Sequence, residues 1–487
     1  MSTGTPRAGH VDARGHTVST SAVPPLRGLP IGGQAHQRAV ERLRRSYDAV
    51  PAGSPVRLAK RTSNLFRPRA AATSPGLDVS GLTSVISMST GDERATADVQ
   101  GMCSYEQLVA TTLPAGYLPL VVPQLRTITL GGAVTGLGIE ATSFRNGLPH
   151  ESVLELDILT GSGEIVTASP AGEHAELFRT FPNSFGSLGY ATRLRIELEP
   201  VHPYVALRNV RFERLADLVA TVDSIMACRE HGGEPVDFLD GVVFAPDEAY
   251  LVLGRWADDA PAEGLSDYTG QQIYYRSLQR RETDALTVHD YLWRWDTDWF
   301  WCSRAFGAQH PVLRRVWPTA RRRSDVYHRI VGLENRYGGA AGIDRVRGRP
   351  ARERVVQDVE IPTARTAEFL SWFDAHVGMR PVWLCPVRLR SERPWSLYPL
   401  EPGRGYLNAG FWGTVPIAAG AADGDVNRAV EAAVADHDGH KSLYSDAYYS
   451  QEEFWRRYGG VAYQRAKERY DPGDRLTDLY AKVVRRR

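Results

Sequence analysis

Apolar positions along the chain change period several times, and each change marks an element. Over His36 to Tyr47 they recur at helical spacing, with Val40, Leu43 and Tyr47 on one face, and Pro51 to Pro55 ends the run. From Val56 to Pro200 short β-rich runs alternate with glycine-rich turns. These runs are 56–59, 82–88, 97–102, 152–159, 165–168 and 192–198. Two helices are expected among them, near 104–112 and 173–180. Gly161-Ser162-Gly163-Glu164, between two strand runs, reads as a hairpin turn.

Beyond Pro200 the texture changes. Strand 205–212, helix 214–231 and strands 236–244 and 249–254 come first. After a stretch rich in Trp and Arg the order recurs as strand 355–361, helix 363–377, strands 381–387 and 406–412, and helix 425–435. Two such halves predict one antiparallel sheet with helices on one face, a ferredoxin-like cap. Residues 444–487 read as helical and aromatic. The expected plan is a flexible tail (1–34), an α+β domain dense in loops (35–200), a cap (201–440) and a C-terminal segment (441–487).

Composition narrows the class. A chain of 487 residues, 43% hydrophobic and 24% charged, can bury two or three cores. Its net charge of +1 supplies no global field for nucleic acid. Arg makes up 54 of the 58 basic residues, a bias that points to a GC-rich bacterial genome. Cys103, Cys228, Cys302 and Cys385 are too far apart for a metal-ligand pattern and read as buried reduced thiols. No apolar run approaches the ~18 residues of a membrane helix, and the first 23 residues hold no secretory apolar core. A cytosolic location is therefore expected, with peripheral membrane association open. Residues 276–354 hold 17 Arg against 9 acidic residues. This reads either as a solvated Arg face or, with the interleaved Trp, as a surface for anionic phospholipid.

The segment richest in chemistry is LGGAVTGLGIEATSFRNG, residues 130–147. Gly131, Gly132, Gly136, Gly138 and Gly147 leave the backbone bare, so that a pyrophosphate could be held by N–H groups without a cationic side chain. Ala141 fills the third glycine place of a dinucleotide fingerprint, and no GxxxxGK[ST] occurs, so neither a Rossmann nor a P-loop reading holds. A plain glycine loop is the remaining alternative.

The succession of Pro123 to Gly147, Val153 to Ala168 and FPNSFGSLGYATRLRIEL (181–198) resembles the FAD-binding domain of the vanillyl-alcohol-oxidase, or p-cresol-methylhydroxylase (PCMH), superfamily. That resemblance implies an α+β fold of two subdomains around FAD with a separate cap. TGLGIEATSFRNGL (135–148), VVQDVEIP (355–362), PVWLCPV (381–387) and LYSDAYYSQEEFWRRYGG (443–460) resemble the Δ24-sterol reductase family over roughly residues 50–485. The family implies an FAD enzyme that reduces an isolated C=C bond of a lipid with NADPH; its bacterial branch includes reductases of methylene-branched fatty acyl chains. By this resemblance the cofactor contacts fall on Pro123, Gly131, Gly132, Gly136, Gly138, Ile139, Glu140, Ser143, Gly147, Ser187 and Gly189. Ser63 and Asn64, which the resemblance also implies as cofactor contacts, stand where related oxidases carry RGxGHS. The run Arg61 to Leu65 has no His or Cys there for a flavin link, so non-covalent FAD is expected. Arg321-Arg322-Arg323 is a second candidate for an NADPH phosphate.

An isolated alkene accepts hydride poorly because no carbonyl stabilises a carbanion. Protonation to a tertiary cation, followed by hydride, therefore calls for an acid in a dry pocket lined by aromatic faces. Tyr444 and Asp446 are the first candidates, with Tyr448, Asp240, His310 and Glu360 behind them. A methylene fatty acyl chain on phospholipid is the preferred substrate, since a GC-rich bacterial origin disfavours a sterol. A Δ24-sterol or isoprenoid side-chain reductase, an alcohol oxidase or dehydrogenase on the same fold, and a non-catalytic scaffold are the alternatives.

Overall fold

The computed structural model describes residues 29–60, 66–67, 76–91, 94–337, 350–418, 420–422 and 424–485. Ser63, Asn64 and the rest of the Arg61 to Leu65 run lie outside them, as does the tail up to residue 28. The first helix, Gly33–Asp48, buries Ala39, Leu43 and Tyr47, while Val40 sits at the edge of the buried stripe. The Tyr47 hydroxyl donates to the Gly161 carbonyl at 2.7 Å, which ties this helix to the hairpin turn.

The first sheet contains β1 (Val85–Ser89), β2 (Thr96–Gln100), β3 (Tyr117–Pro119), β4 (Val153–Leu159), β5 (Ile165–Ala168) and β6 (Tyr190–Pro200). Its order is β1-β2-β6-β4-β5, antiparallel throughout, with β3 on the far end of β6. The run 56–59, expected as a strand, makes only a single bridge, Leu58 to Leu77. That bridge is made by Ala59 N–H to the Leu77 carbonyl and Leu77 N–H to the Arg57 carbonyl, while Val56 N–H donates elsewhere, to the Arg475 carbonyl. The helix expected near 104–112 forms as Tyr105–Thr112, with the Ser104 hydroxyl accepting from Gln107 N–H as its cap. Part of the glycine segment is also helical: Leu130–Gly136, capped by Thr129.

The chain then enters a second, eight-stranded sheet. Its strands are β7 (Tyr204–Phe212), β10 (Phe238–Ala245), β11 (Glu248–Ala257), β12 (Thr283–Thr287), β13 (Arg352–Pro362), β14 (Val382–Val387), β15 (Tyr406–Pro416) and β16 (His440–Lys441); β8 (Glu230–His231) and β9 (Glu234–Pro235) form a small separate ribbon. The order is β12-β7-β11-β10-β14-β15-β13-β16, all antiparallel. Strand side chains alternate between faces. Leu239, Leu251, Val359, Leu384 and Ala409 face one way, into a core shared with helices Leu215–Cys228, Thr363–His376 and Asp425–Asp436. Asp240, Trp383, Asp358 and Trp412 occupy the alternate positions and face the first sheet. Helices on one face and a functional surface on the other follow from this period of two.

Candidate active site

A cavity of about 830 Å³ lies between the glycine-bearing loops of the first sheet and the open face of the second, a size within the ~300–1,000 Å³ of cofactor pockets. Its two sides differ in chemistry. Towards the first sheet it is lined by Gly131, Gly132, Gly136, Gly138, Gly186 and Gly189 together with Arg57, Lys60, Arg67 and Lys482. Towards the second sheet it is lined by Trp299, Phe300, Trp383 and Trp412, with Asp358, Ser442 and Tyr444 among them.

The polar side is built by loops that converge from distant parts of the chain. Lys60 Nζ donates to the Thr129 hydroxyl at 2.9 Å, and that hydroxyl also receives Gly132 N–H at 3.2 Å. Lys482 Nζ donates to the carbonyls of Phe185 and Gly186, which anchors the C-terminal segment on the second glycine turn. Arg67 lies over the Phe185 ring and donates to the Leu443 carbonyl. Four cationic residues, Arg57, Lys60, Arg67 and Lys482, thus line the wall beside the bare glycine backbone, where residues 131–138 themselves contain none. At Gly138 a Cβ would sit 3.0 Å from Pro123 and 3.1 Å from Pro149, so the wall there is already closed by two rigid rings.

The aromatic side holds the acid–base groups. Trp412 Nε1 donates to the Tyr444 hydroxyl at 2.8 Å. The Asp358 carboxylate lies beside Tyr444 and accepts from Asn408 Nδ2 at 3.1 Å. Burial pushes the Asp358 carboxyl up to about 6, against the opposing effect of the Asn408 and Tyr444 side chains. Burial, with Asp358 beside it, raises the Tyr444 phenol well above its usual value. Gly410 stands opposite Asp358 in the β13–β15 register; a Cβ there would lie 2.4 Å from Asp358 Oδ1 and 2.7 Å from Trp412. The bare backbone at Gly410 is what lets carboxylate and indole share the site. Phe300 packs on Trp412 at 4.3 Å, and Phe66 lies between Trp299 and Tyr444. Both Trp299 and Phe300 adopt left-handed backbone angles (φ 46° and 59°), an uncommon conformation for bulky residues that turns this pair into the wall.

Of the residues expected from sequence, Pro123, Gly131, Gly132, Gly136, Gly138, Ile139, Gly189 and Tyr444 line the cavity. Others lie behind it. Glu140 is buried against Arg294 (3.6 Å), which pairs more closely with Asp240 (2.9 Å); burial raises the Glu140 carboxyl to about 8. Asp240 also accepts from the indoles of Trp295 and Trp383, so it fixes aromatic rings and does not face the cavity. The Ser143 hydroxyl accepts from Glu140 N–H, and the Ser187 hydroxyl donates to the Ser184 carbonyl. Gly147 closes a turn against Glu151. Asp446 pairs with Arg354 at 2.8 Å outside the cavity, and Tyr448 packs over Gly424 with its N–H on Glu431. His310 is exposed ahead of a short helix. Glu360 is fully buried one strand step beyond Asp358, and Ser442, which lines the cavity, donates to it at 3.2 Å. Asp358 was missed, yet VVQDVEIP held the signal: with Val355, Val359 and Ile361 inward, Asp358 must project from the other face.

Several of the described arginines of this stretch are committed internally. Arg294 pairs with Asp240, Arg314 with Asp298 at 2.7 Å and Arg323 with Glu106 at 2.8 Å, while Arg322 donates to carbonyls of Gly270, Arg314 and Trp317. Two of the three arginines proposed for a nucleotide phosphate, Arg322 and Arg323, are therefore already engaged.

Residues 49–169 match the FAD binding domain family. A two-sided cavity of this kind, with that domain supplying much of its polar wall, defines an FAD-dependent oxidoreductase with an α+β, PCMH-like fold. The chain resembles the Δ24-sterol reductases. It is 26% identical to the Delta(24)-sterol reductase of Mus musculus over 399 residues, covering 80% of this chain and 74% of the relative. It is 24% identical to that of Arabidopsis thaliana over 426 residues, covering 80% and 73%. A shorter match, 32% over 129 residues and 26% of the chain, is to a cytokinin dehydrogenase of Oryza sativa and covers 23% of that relative.

Proposed function

We propose that the protein binds FAD non-covalently in this cavity and reduces an isolated C=C bond of a lipid, with NADPH as the electron source. The preferred substrate is a methylene-branched fatty acyl chain, probed as its phospholipid. The observation that carries this reading is the division of the cavity: cations and bare glycine backbone on one wall, tryptophans with an embedded carboxyl on the other. The cationic wall fits a pyrophosphate, and Arg57, Lys60, Arg67 and Lys482 with the Gly131–Gly138 backbone would hold it. Cys302, the cysteine on the cavity wall, has its thiol pushed up to about 12 by burial, and no histidine is among the described lining residues. Neither gives a ready covalent attachment.

Bound FAD would supply the hydride that completes the reduction. The chain supplies the proton and the surroundings. Asp358, protonated below pH 6, donates its proton to the terminal alkene carbon, either directly or through the Tyr444 hydroxyl. The C=C π bond becomes the new C–H bond, and positive charge is left on the branched carbon. The faces of Trp299, Phe300, Trp383 and Trp412 stabilise that cation and exclude water that would trap it. Solvent then reprotonates Asp358. The names of the relatives favour a sterol side-chain alkene as the second reading; it yields a tertiary cation by the same chemistry.

The test is single turnover. Purified protein carrying reduced flavin is mixed anaerobically with a 10-methylene fatty acyl phospholipid or with a Δ24-sterol. Flavin reoxidation with a saturated methyl-branched product is expected from the phospholipid. Turnover of the sterol alone would transfer the assignment to the second reading, and turnover of neither would remove the reductase reading.

A further inference from the structure

We infer that the segment 299–324 docks the protein on an anionic lipid bilayer, through the short helix Pro311–Val316. Val312, Leu313 and Val316 of this helix are 65%, 47% and 72% exposed, three of the seven large apolar side chains exposed among the described residues. Residues this apolar, grouped on one short element, are seldom left in water without a partner. Within the segment itself the charge is of one sign. Residues 299–324 contain no Asp or Glu, and the exposed Arg304, Arg315 and Arg321 make no ion pair among the described residues. The inward arginines of the same segment have partners within the fold: Arg314 pairs with Asp298 and Arg323 with Glu106, and Arg322 donates to backbone carbonyls. The segment thus satisfies its buried charges and leaves its surface ones to a partner. Apolar side chains flanked by uncompensated arginines suit the boundary between acyl chains and anionic headgroups.

The same segment reaches the cavity. Trp299, Phe300 and Cys302 form part of its aromatic wall, two residues before Arg304. Docking by the Pro311–Val316 helix would set that wall beside the bilayer, where a lipid substrate resides. This purpose rests on the proposed function, whereas the docking itself rests only on the surface.

Vesicle sedimentation tests it without any turnover, so it stands or falls apart from the reductase reading. The full-length protein is mixed with phosphatidylglycerol or phosphatidylcholine vesicles at several salt concentrations. Wild type is expected to sediment with phosphatidylglycerol, and less so as salt rises. V312D/L313D/V316D should lose tenfold or more of that binding, and R304E/R315E/R321E should lose its salt-dependent part. Both variants change exposed positions and should keep the wild-type melting temperature and flavin absorbance. Equal binding of wild type and both variants, no binding of wild type to phosphatidylglycerol, or a wild-type dimer in ultracentrifugation that V312D/L313D/V316D abolishes would each overturn the proposal; the last would show a second copy on this surface.

Discussion

At the scale of single residues, Asp358 decides most. If it is the acid, Asp358→Asn should lower kcat by ~10²-fold or more while flavin binding persists. Tyr444→Phe should lose less, because the carboxyl remains. Asp446→Asn should leave the rate near wild type, since its carboxylate pairs with Arg354 outside the cavity. Turnover should fall as pH rises through about 6, where Asp358 ionises. Stability should move the same way. The folded-state value of about 6 lies above the ordinary 3.8, so the folded form holds this proton more tightly; that contribution is complete below pH 4 and lost as pH rises to 6. Thermal melts at pH 4 and pH 7 should show Asp358→Asn gaining on wild type at the higher pH. Sequence reading reached Tyr444 through a motif, but not Asp358, because a carboxylate inside an apolar strand run shows its role only once the two faces of the sheet are assigned. Asp446, in the same motif as Tyr444, turns instead to Arg354 and does not line the cavity; a shared motif did not translate into a shared site.

At the scale of elements, strand periodicity was legible. The hairpin β4–β5, the recurrent strand–helix–strand order and the helix starting at Ser104 all form where the apolar pattern places them. The glycine segment was legible only in part. Its first half winds into the helix Leu130–Gly136 under the Thr129 cap, a helix that its composition conceals because glycine is a poor helix former. The cationic wall was invisible, since Arg57, Lys60, Arg67 and Lys482 are separated by up to 425 positions and meet only through tertiary packing. Two substitutions probe these elements. Gly138→Val should abolish flavin binding, because the side chain would press on Pro123 and Pro149 and deform the wall. Released flavin in the gel-filtration eluate would show this directly. Gly410→Val should leave the flavin in place yet displace Trp412 and Asp358, so a loss of turnover with unchanged flavin absorbance is expected.

At the scale of the molecule, a buried ionic cluster is one of the ties that hold the two sheets face to face. Arg294 from the second-sheet region lies between Asp240 on β10 and Glu140 on the glycine segment, stacked 3.9 Å from the Tyr291 ring centroid. Removing one member of such a group leaves uncompensated buried charge, at a cost of about 3–5 kcal/mol. Arg294→Met should therefore lower the melting temperature sharply, whereas Arg315→Met on the surface should not. No helix among the described residues is long and apolar enough to cross a membrane.

The central claim is that the cavity reduces a lipid alkene by protonation first. The most direct measurement is turnover of the 10-methylene fatty acyl phospholipid in ordinary water with NADPH deuterated at its transferable hydrogen, with any label in the product located by mass spectrometry. Deuterium on the branched carbon, with solvent hydrogen on the former methylene carbon, is the expected result. Deuterium on the former methylene carbon would mean that hydride attacks that carbon first, and would contradict both the cation and the role of Asp358.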